Sequence, residues 1–243
     1  MIPWLDVDTP FPALDEALVD PNGLLAAGGD LSPQRLIAAY RRGIFPWYSG
    51  DQPILWWSPD PRMVLHVAEF QLPRSLRKRI RAGTFQTRFD TAFRQVIEQC
   101  AATPRAGQGG TWITSAIVDA YCALHELGYA HSVESWQHGQ LVGGLYGIEI
   151  DRMFFGESMF AHATDASKVA LAALVAQMQR RGIPLIDCQQ ETAHLASLGA
   201  RPISRGMFAA QLVDLVHSSA PSGPWQSDFG TGAAWPSLST GAR

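Results

Sequence analysis

The chain has 243 residues, 47% of them hydrophobic and 17% charged, enough for a full core in one large domain or two unequal ones. A net charge of −3 argues against a general nucleic-acid coat, though it leaves a local basic patch open. No signal-like segment and no run long enough to span a bilayer is visible. The cysteines, Cys100, Cys122 and Cys188, lack CxxC or metal-ligand spacing, so a soluble protein of the reducing cytoplasm without a metal site is expected.

The first sixty residues are rich in Pro, Gly and Trp and hold one short helix, whose Leu36, Ile37 and Tyr40 form an apolar stripe ending near Gly43. They read as a small N-terminal domain over 1–62. After PILWWSPDPR, MVLHV (63–67) reads as a strand and SLRKRIRAG (75–83) as a short helix. FDTAFRQVIEQCAA (89–102) reads as a helix with Asp90 as its N-cap. TSAIVDAYCALHELG (114–128) places Ile117, Ala120, Tyr121, Leu124 and Leu127 on one helical face and stops at Gly128.

Three antiparallel strands are expected next: AHSVESWQ, a turn at His138 and Gly139, QLVGGLYGIEI, then RMFFGESMF. ASKVALAALVAQMQRRG is a helix, LIDCQ a strand and RGMFAAQLVDLVH a last helix. This succession over 63–217 is α/β or α+β. Residues 218–243 are rich in Gly, Ser and Pro without periodicity and read as a flexible tail, in which Trp225, Phe229 and Trp235 are local anchors of lesser weight.

Several motifs carry little. Ser75 and Lys78 match SxxK without its KTG and SDN partners, GQGG at 107–110 lacks the Lys-Ser/Thr of a P-loop, and His125-Glu126 lacks the second histidine of HExxH. LIDCQ carries more. Strand alternation puts Asp187 and Gln189 on one face, roughly 7 Å apart, and a buried carboxylate there needs a structural partner or a ligand. In FFGESMF, Glu157 stands among Phe154, Phe155, Met159 and Phe160 and has the same need, while Gly156 lets a backbone approach closely. Arg74, Arg77, Lys78 and Arg81 fall on one helical face opposite Leu72, Leu76 and Ile80, with no acid between Phe70 and Phe89. A stripe of one sign suits a polyanion backbone, although most charge runs are solvated faces. Trp56, Trp57 and Trp112 lie near Pro or Gly loops, where a flat ring can stack on a nucleobase or simply pack.

Together FPWY, LWWSPDPR, TWIT, the VGGLYG to FFGESMF meander, ASK and LIDCQ resemble the bacterial leucyl/phenylalanyl-tRNA–protein transferase family, over residues 3 to 215. The resemblance implies an α+β chain with a small N-terminal domain and a GNAT-like acyltransferase domain, its mostly antiparallel sheet flanked by helices. It implies an enzyme that moves Leu or Phe, and sometimes Met, from aminoacyl-tRNA to proteins with N-terminal Arg or Lys, marking them for degradation without a cofactor. Carried over residue by residue, Asp187 and Gln189 take the chemical role and Glu157 is an acid of the same site. Trp57, Trp112 and Phe154 lie near the aminoacyl-adenosine end, while Gly156, Met159 and Cys188, with Ser158 of the same motif, form the substrate pocket. Arg74, Arg77, Lys78 and Arg81 match the tRNA patch in position. Leu145 and Met178 depart from the family pattern, which has methionine and an aromatic there.

The ester of a charged tRNA is already activated and an N-terminal amine has a pKa of about 8, so positioning is the main requirement. Gln189 cannot titrate and is no general base; its carbonyl can accept a hydrogen bond from the amine while its NH₂ contacts the oxyanion or ribose. Asp187 can orient it and offset positive charge on the attacking nitrogen, and whether a protein group takes the proton stays open. Two rival readings are a GNAT N-acetyltransferase using acyl-CoA and a tRNA-binding adaptor. The first requires a glycine-rich pyrophosphate loop where this chain has AHATDASK.

Overall fold

The computed structural model describes residues 2–103 and 111–225, so the GQGG segment, Phe229 and Trp235 lie outside the described residues. Near the N-terminus, β1 (Trp4–Leu5), β2 (Leu24–Gly28), β3 (Phe45–Pro46) and β4 (Leu55–Trp57) form a four-stranded sheet in the order β1-β2-β4-β3. Helix α1 (Pro33–Tyr40) starts where local chemistry favours it: Ser32 Oγ accepts the Arg35 N–H, and Pro33 occupies the first turn. It ends at Tyr40, and the turn that follows closes on Gly43, whose φ of +73° suits glycine.

The large sheet has seven strands: β5 (Arg62–His66), β6 (Gln86–Phe89), β7 (Ala130–Gln137), β8 (Gln140–Ile150), β9 (Met153–Ala161), β10 (Leu185–Gln189) and β11 (Arg201–Ile203). Their order is β11-β5-β10-β9-β8-β7-β6, and every pair is antiparallel except β9 with β10. His138 and Gly139 both have positive φ, which matches the strand twist in a two-residue hairpin between β7 and β8.

Helices α3 (Phe93–Ala102), α4 (Ser115–Glu126) and α7 (Arg205–Leu215) bury apolar residues on one face of this sheet. The same core includes Leu5, Leu36, Tyr40 and Trp56, so the N-terminal region and the large sheet share continuous apolar packing. The other face is covered by α5 (Ala166–Arg181), an Ala/Leu/Val helix buried along nearly its whole length and closed by Gly182 in the left-handed region. The remaining helices are α2 (Arg74–Arg81) and the single turn α6 (Ala193–Ala196). Among the described residues no helix is long and apolar enough to cross a membrane.

This is the mixed α+β architecture expected, with a mostly antiparallel sheet between helices, consistent with a GNAT-like domain. Four local expectations are corrected. Residues 86–89 form an edge strand, and Asp90 is not the cap of α3: it has a φ of +56°, and its carboxylate accepts the Ser132 and Trp225 backbone N–H groups while pairing with His131. Leu127 lies past the end of α4 and is 50% exposed, because the helical face has already turned at the cap. Residues 201–203 form β11, a strand the sequence reading omitted. Residues 218–225 run along the core rather than away from it: Trp225 is buried, stacks on His131 with centroids 4.3 Å apart, and donates from Nε1 to Glu149 at 2.9 Å.

Candidate active site

The parallel register of β9 and β10 runs Leu185↔Met153, Ile186↔Phe154 and Asp187↔Phe155. Beyond it, Gly156–Met159 and Cys188–Gln190 line opposite sides of a cleft of about 410 Å³. A cleft where parallel strands separate at their C-terminal ends is the usual place for a ligand in an open sheet. Gly156 suits the point of divergence, since a Cβ there would stand 3.2 Å from the Asp187 carbonyl oxygen.

Of the residues singled out from sequence, Trp112, Gly156, Glu157, Ser158, Met159, Asp187, Cys188 and Gln189 line this cleft together. Phe154 does not; it is fully buried in the core beneath α5 and packs on Trp225. Trp57 does not either. Its ring meets Trp47 edge-on and its Nε1 donates to the Trp47 carbonyl at 2.6 Å, so it supports the tryptophan that forms the wall.

Asp187 is fully buried, and its partner is Arg62 at the start of β5. The pairing is bidentate, with Nε to Oδ1 at 2.8 Å and Nη2 to Oδ2 at 2.7 Å. This geometry gives both carboxylate oxygens a charge-assisted partner. The expected open projection of Asp187 into the cleft is therefore corrected: its carboxylate is engaged by a guanidinium behind the cleft floor. The shared face of Asp187 and Gln189 is corrected as well. The ladder with β5 slips between these residues, and Gln189 has a φ of +60°, a bulge that re-aims its side chain. The Gln189 N–H donates to Asp187 Oδ1 at 2.9 Å, and Gln189 Nε2 donates to Glu157 Oε1 at 2.7 Å.

Glu157 is the hub of the site. Besides Gln189 it accepts the hydroxyl of Tyr40 at 2.7 Å, while the single O–H of Tyr121 is shared between the Tyr40 oxygen and Glu157, which lies 3.3 Å away. The side chain as a whole is half-buried and borders the cleft. Burial of the carboxylate, helped by nearby Asp187 and opposed by donation from Tyr40, Tyr121 and Gln189, pushes its pKa up to about 8. Burial and the same acid push both phenols well above their ordinary value. A carboxyl group that titrates near neutrality can exchange protons with an amine.

The walls divide by chemistry. Leu145, Met159, Leu171, Leu174, Ile186 and Leu195 supply apolar surface, whereas Phe45, Pro46, Trp47 and Trp112 make an aromatic side. Met178 is buried in the α5 core and is not part of the lining. His194 stands at the rim, its pKa lowered first by burial and then by Lys168. Sequence reasoning missed Arg62, Tyr40, Tyr121 and Trp47 as site residues. Trp47 and Arg62 lie within the quoted FPWY and LWWSPDPR motifs, while Tyr40 and Tyr121 read as core residues of helical stripes.

Away from the cleft, α2 buries Leu76 and exposes Arg74, Lys78 and Arg81, with Arg77 half-exposed. Arg79 reaches Asp165 at 3.4 Å, and Asp165 occupies the N-cap of α5. An acid there replaces the glycine-rich cradle that a pyrophosphate would need, and its charge opposes such a ligand.

Comparison with known proteins accords with this architecture. The family model for the leucyl/phenylalanyl-tRNA protein transferase matches residues 64–213, and that for the N-terminal domain of the same transferase matches residues 29–60. The leucyl/phenylalanyl-tRNA–protein transferase of Aromatoleum aromaticum is 60% identical over 225 residues, covering 93% of this chain and 94% of its own. That of Azoarcus sp. is 58% identical over 234 residues, covering 96% and 98%, and that of Nitrosomonas europaea 56% over 229, covering 94% and 97%. Near-complete coverage at such identity, on a fold whose splayed strands carry the LIDCQ and FGESMF motifs, places this chain in the leucyl/phenylalanyl-tRNA–protein transferase family.

Proposed function

We propose that the cleft between β9 and β10 is where this transferase forms its peptide bond, with Glu157 and Gln189 at the reacting atoms and Asp187 holding Gln189 from below. The reaction is the family's: Leu or Phe passes from aminoacyl-tRNA to the α-amine of a protein with N-terminal Arg or Lys, in the N-degron pathway. The amine nitrogen attacks the ester carbonyl, the bond to the ribose oxygen breaks, the nitrogen loses a proton and the ribose oxygen gains one. Glu157 supports this reading most strongly, since it is the one cleft carboxylate here whose three partners are all side-chain donors and whose pKa of about 8 matches that of the amine.

Gln189 Nε2 spends one N–H on Glu157, which leaves its second N–H for the oxyanion or ribose and its carbonyl oxygen to accept from the amine. The apolar wall around Leu145, Met159, Leu171 and Ile186 suits a Leu or Phe side chain; such a pocket distinguishes related donors by about 1 to 3 kcal/mol per methylene. Trp47 and Trp112 offer rings to the terminal adenine, and Arg74, Arg77, Lys78 and Arg81 offer charge to the tRNA backbone. Asp187 is taken up by Arg62, which removes it as a partner for the acceptor's cationic side chain. Free cysteines and these substrates favour a cytoplasmic setting.

Transfer from charged tRNA to an Arg-initiated peptide tests the assignment. Gln189→Ala should lower kcat about 100-fold, on the scale of losing a positioned transition-state donor, with tRNA affinity unchanged. A wild-type kcat would reject it.

A further inference from the structure

Arg62 lies behind the cleft floor, and four observations give it more than a packing role. Its fork holds both oxygens of Asp187, and Asp187 Oδ1 also accepts the backbone N–H of Gln189. That second bond closes the turn in which Gln189 takes a φ of +60°, a conformation disfavoured for a residue with a Cβ. The guanidinium is stacked between Phe45 at 4.8 Å and Phe208 at 4.7 Å, and Phe45 is itself part of the cleft wall next to Trp47. Finally, Arg62 Nη1 is buried without a hydrogen-bond partner among the described residues.

Optimal stability does not account for this arrangement. A buried ion pair with an unspent donor incurs a desolvation cost, and well-packed apolar residues in its place are often as stable or more so. What apolar residues cannot do is fix the plane of the Asp187 carboxylate. We infer that Arg62 is a positioning residue for aminoacyl transfer: through Asp187 it sets the bulge that aims Gln189 at Glu157, and through Phe45 it ties the floor of the cleft to its aromatic wall. This rests on the assignment of Gln189 and Glu157 to the chemistry.

The test compares Arg62→Lys, which keeps the charge and loses the fork, with the double variant Arg62→Met/Asp187→Leu, which removes both charges. The readouts are kcat per folded molecule, the Kd for charged tRNA and the melting temperature. Arg62→Lys should lose at least about tenfold in kcat, since small misplacements of reacting groups are costly, with Kd within about twofold. The double variant should melt near wild type yet transfer slowly. Wild-type kcat per folded molecule in Arg62→Lys would overturn the inference whatever its melting temperature, and so would recovery of rate with stability in the double variant. If the double variant does not fold, Arg62→Lys decides alone. Gln189→Ala and Glu157→Gln run in parallel: full rates there would sink the underlying assignment, whereas slow transfer there beside a fast Arg62→Lys would sink the role of Arg62 only.

Discussion

Two acids of the large sheet, Glu157 on β9 and Glu134 on β7, meet the cost of burial in different ways. Glu134 is fully buried and accepts the backbone N–H groups of Thr91 and Ala92, together with Thr91 Oγ1, Ser132 Oγ and Trp136 Nε1. It ties β6 and the start of α3 to β7. Among the described residues Glu157 is held by side chains, two phenols and one amide, and its pKa is displaced upward. Asp90 follows the first pattern, with two backbone donors beside His131. Main-chain donors belong to the fold and hold an acid as part of the scaffold, whereas side-chain donors around a cleft leave it able to change protonation state without unmaking the sheet.

The sharpest way to break this contrast is to remove each charge in turn. Glu157→Gln should lower kcat by about 10² to 10⁴, the usual range for a general base, without lowering the melting temperature; Glu134→Gln should lower the melting temperature and leave kcat per folded molecule unchanged. Truncation at Trp225 extends the scaffold side: Trp225→Ala should cost about 3 to 5 kcal/mol of stability in denaturant melts, again with kcat per folded molecule retained. Arg77→Ala with Lys78→Ala should weaken tRNA binding and reduce the slope of log K against log salt by roughly 1.4 to 1.8, with no effect on kcat at saturation.

The last contrast concerns pH. Because Glu157 binds its proton more tightly in the folded state, with a pKa near 8 against 4.5, the native protein holds more protons than the unfolded chain between those values. Stability should therefore fall as pH rises from about 5 to 8, and Glu157→Gln should remove that slope. Equal slopes in both proteins would place the titration elsewhere.

Much of the architecture was legible because periodicity is local. The β7–β8 hairpin and the α5 helix both follow from residues a few positions apart. In the site, the polar character of LIDCQ and the isolation of Glu157 in FFGESMF marked both sides of the cleft. What stayed hidden depends on distant partners. Alternation holds along β10 as far as Cys188, but the turn at Gln189 needs the Asp187 carboxylate to capture its N–H, which spacing does not reveal. Asp90 has the spacing of a helix cap, yet its partners lie on β7 and at Trp225. Trp47 and Trp57 both sit near prolines, and only the pairing of β3 with β4 decides which one reaches the cleft.

Arg62 and Asp187 are 125 residues apart in the chain yet share one ion pair. During synthesis on a ribosome, the first member therefore emerges long before the second, and β5 waits for both of its neighbours to be made. A nascent or prematurely terminated polypeptide ending ahead of β10 has no floor beneath Gly156, so the ability to join amino acids arrives only as translation of this enzyme nears completion.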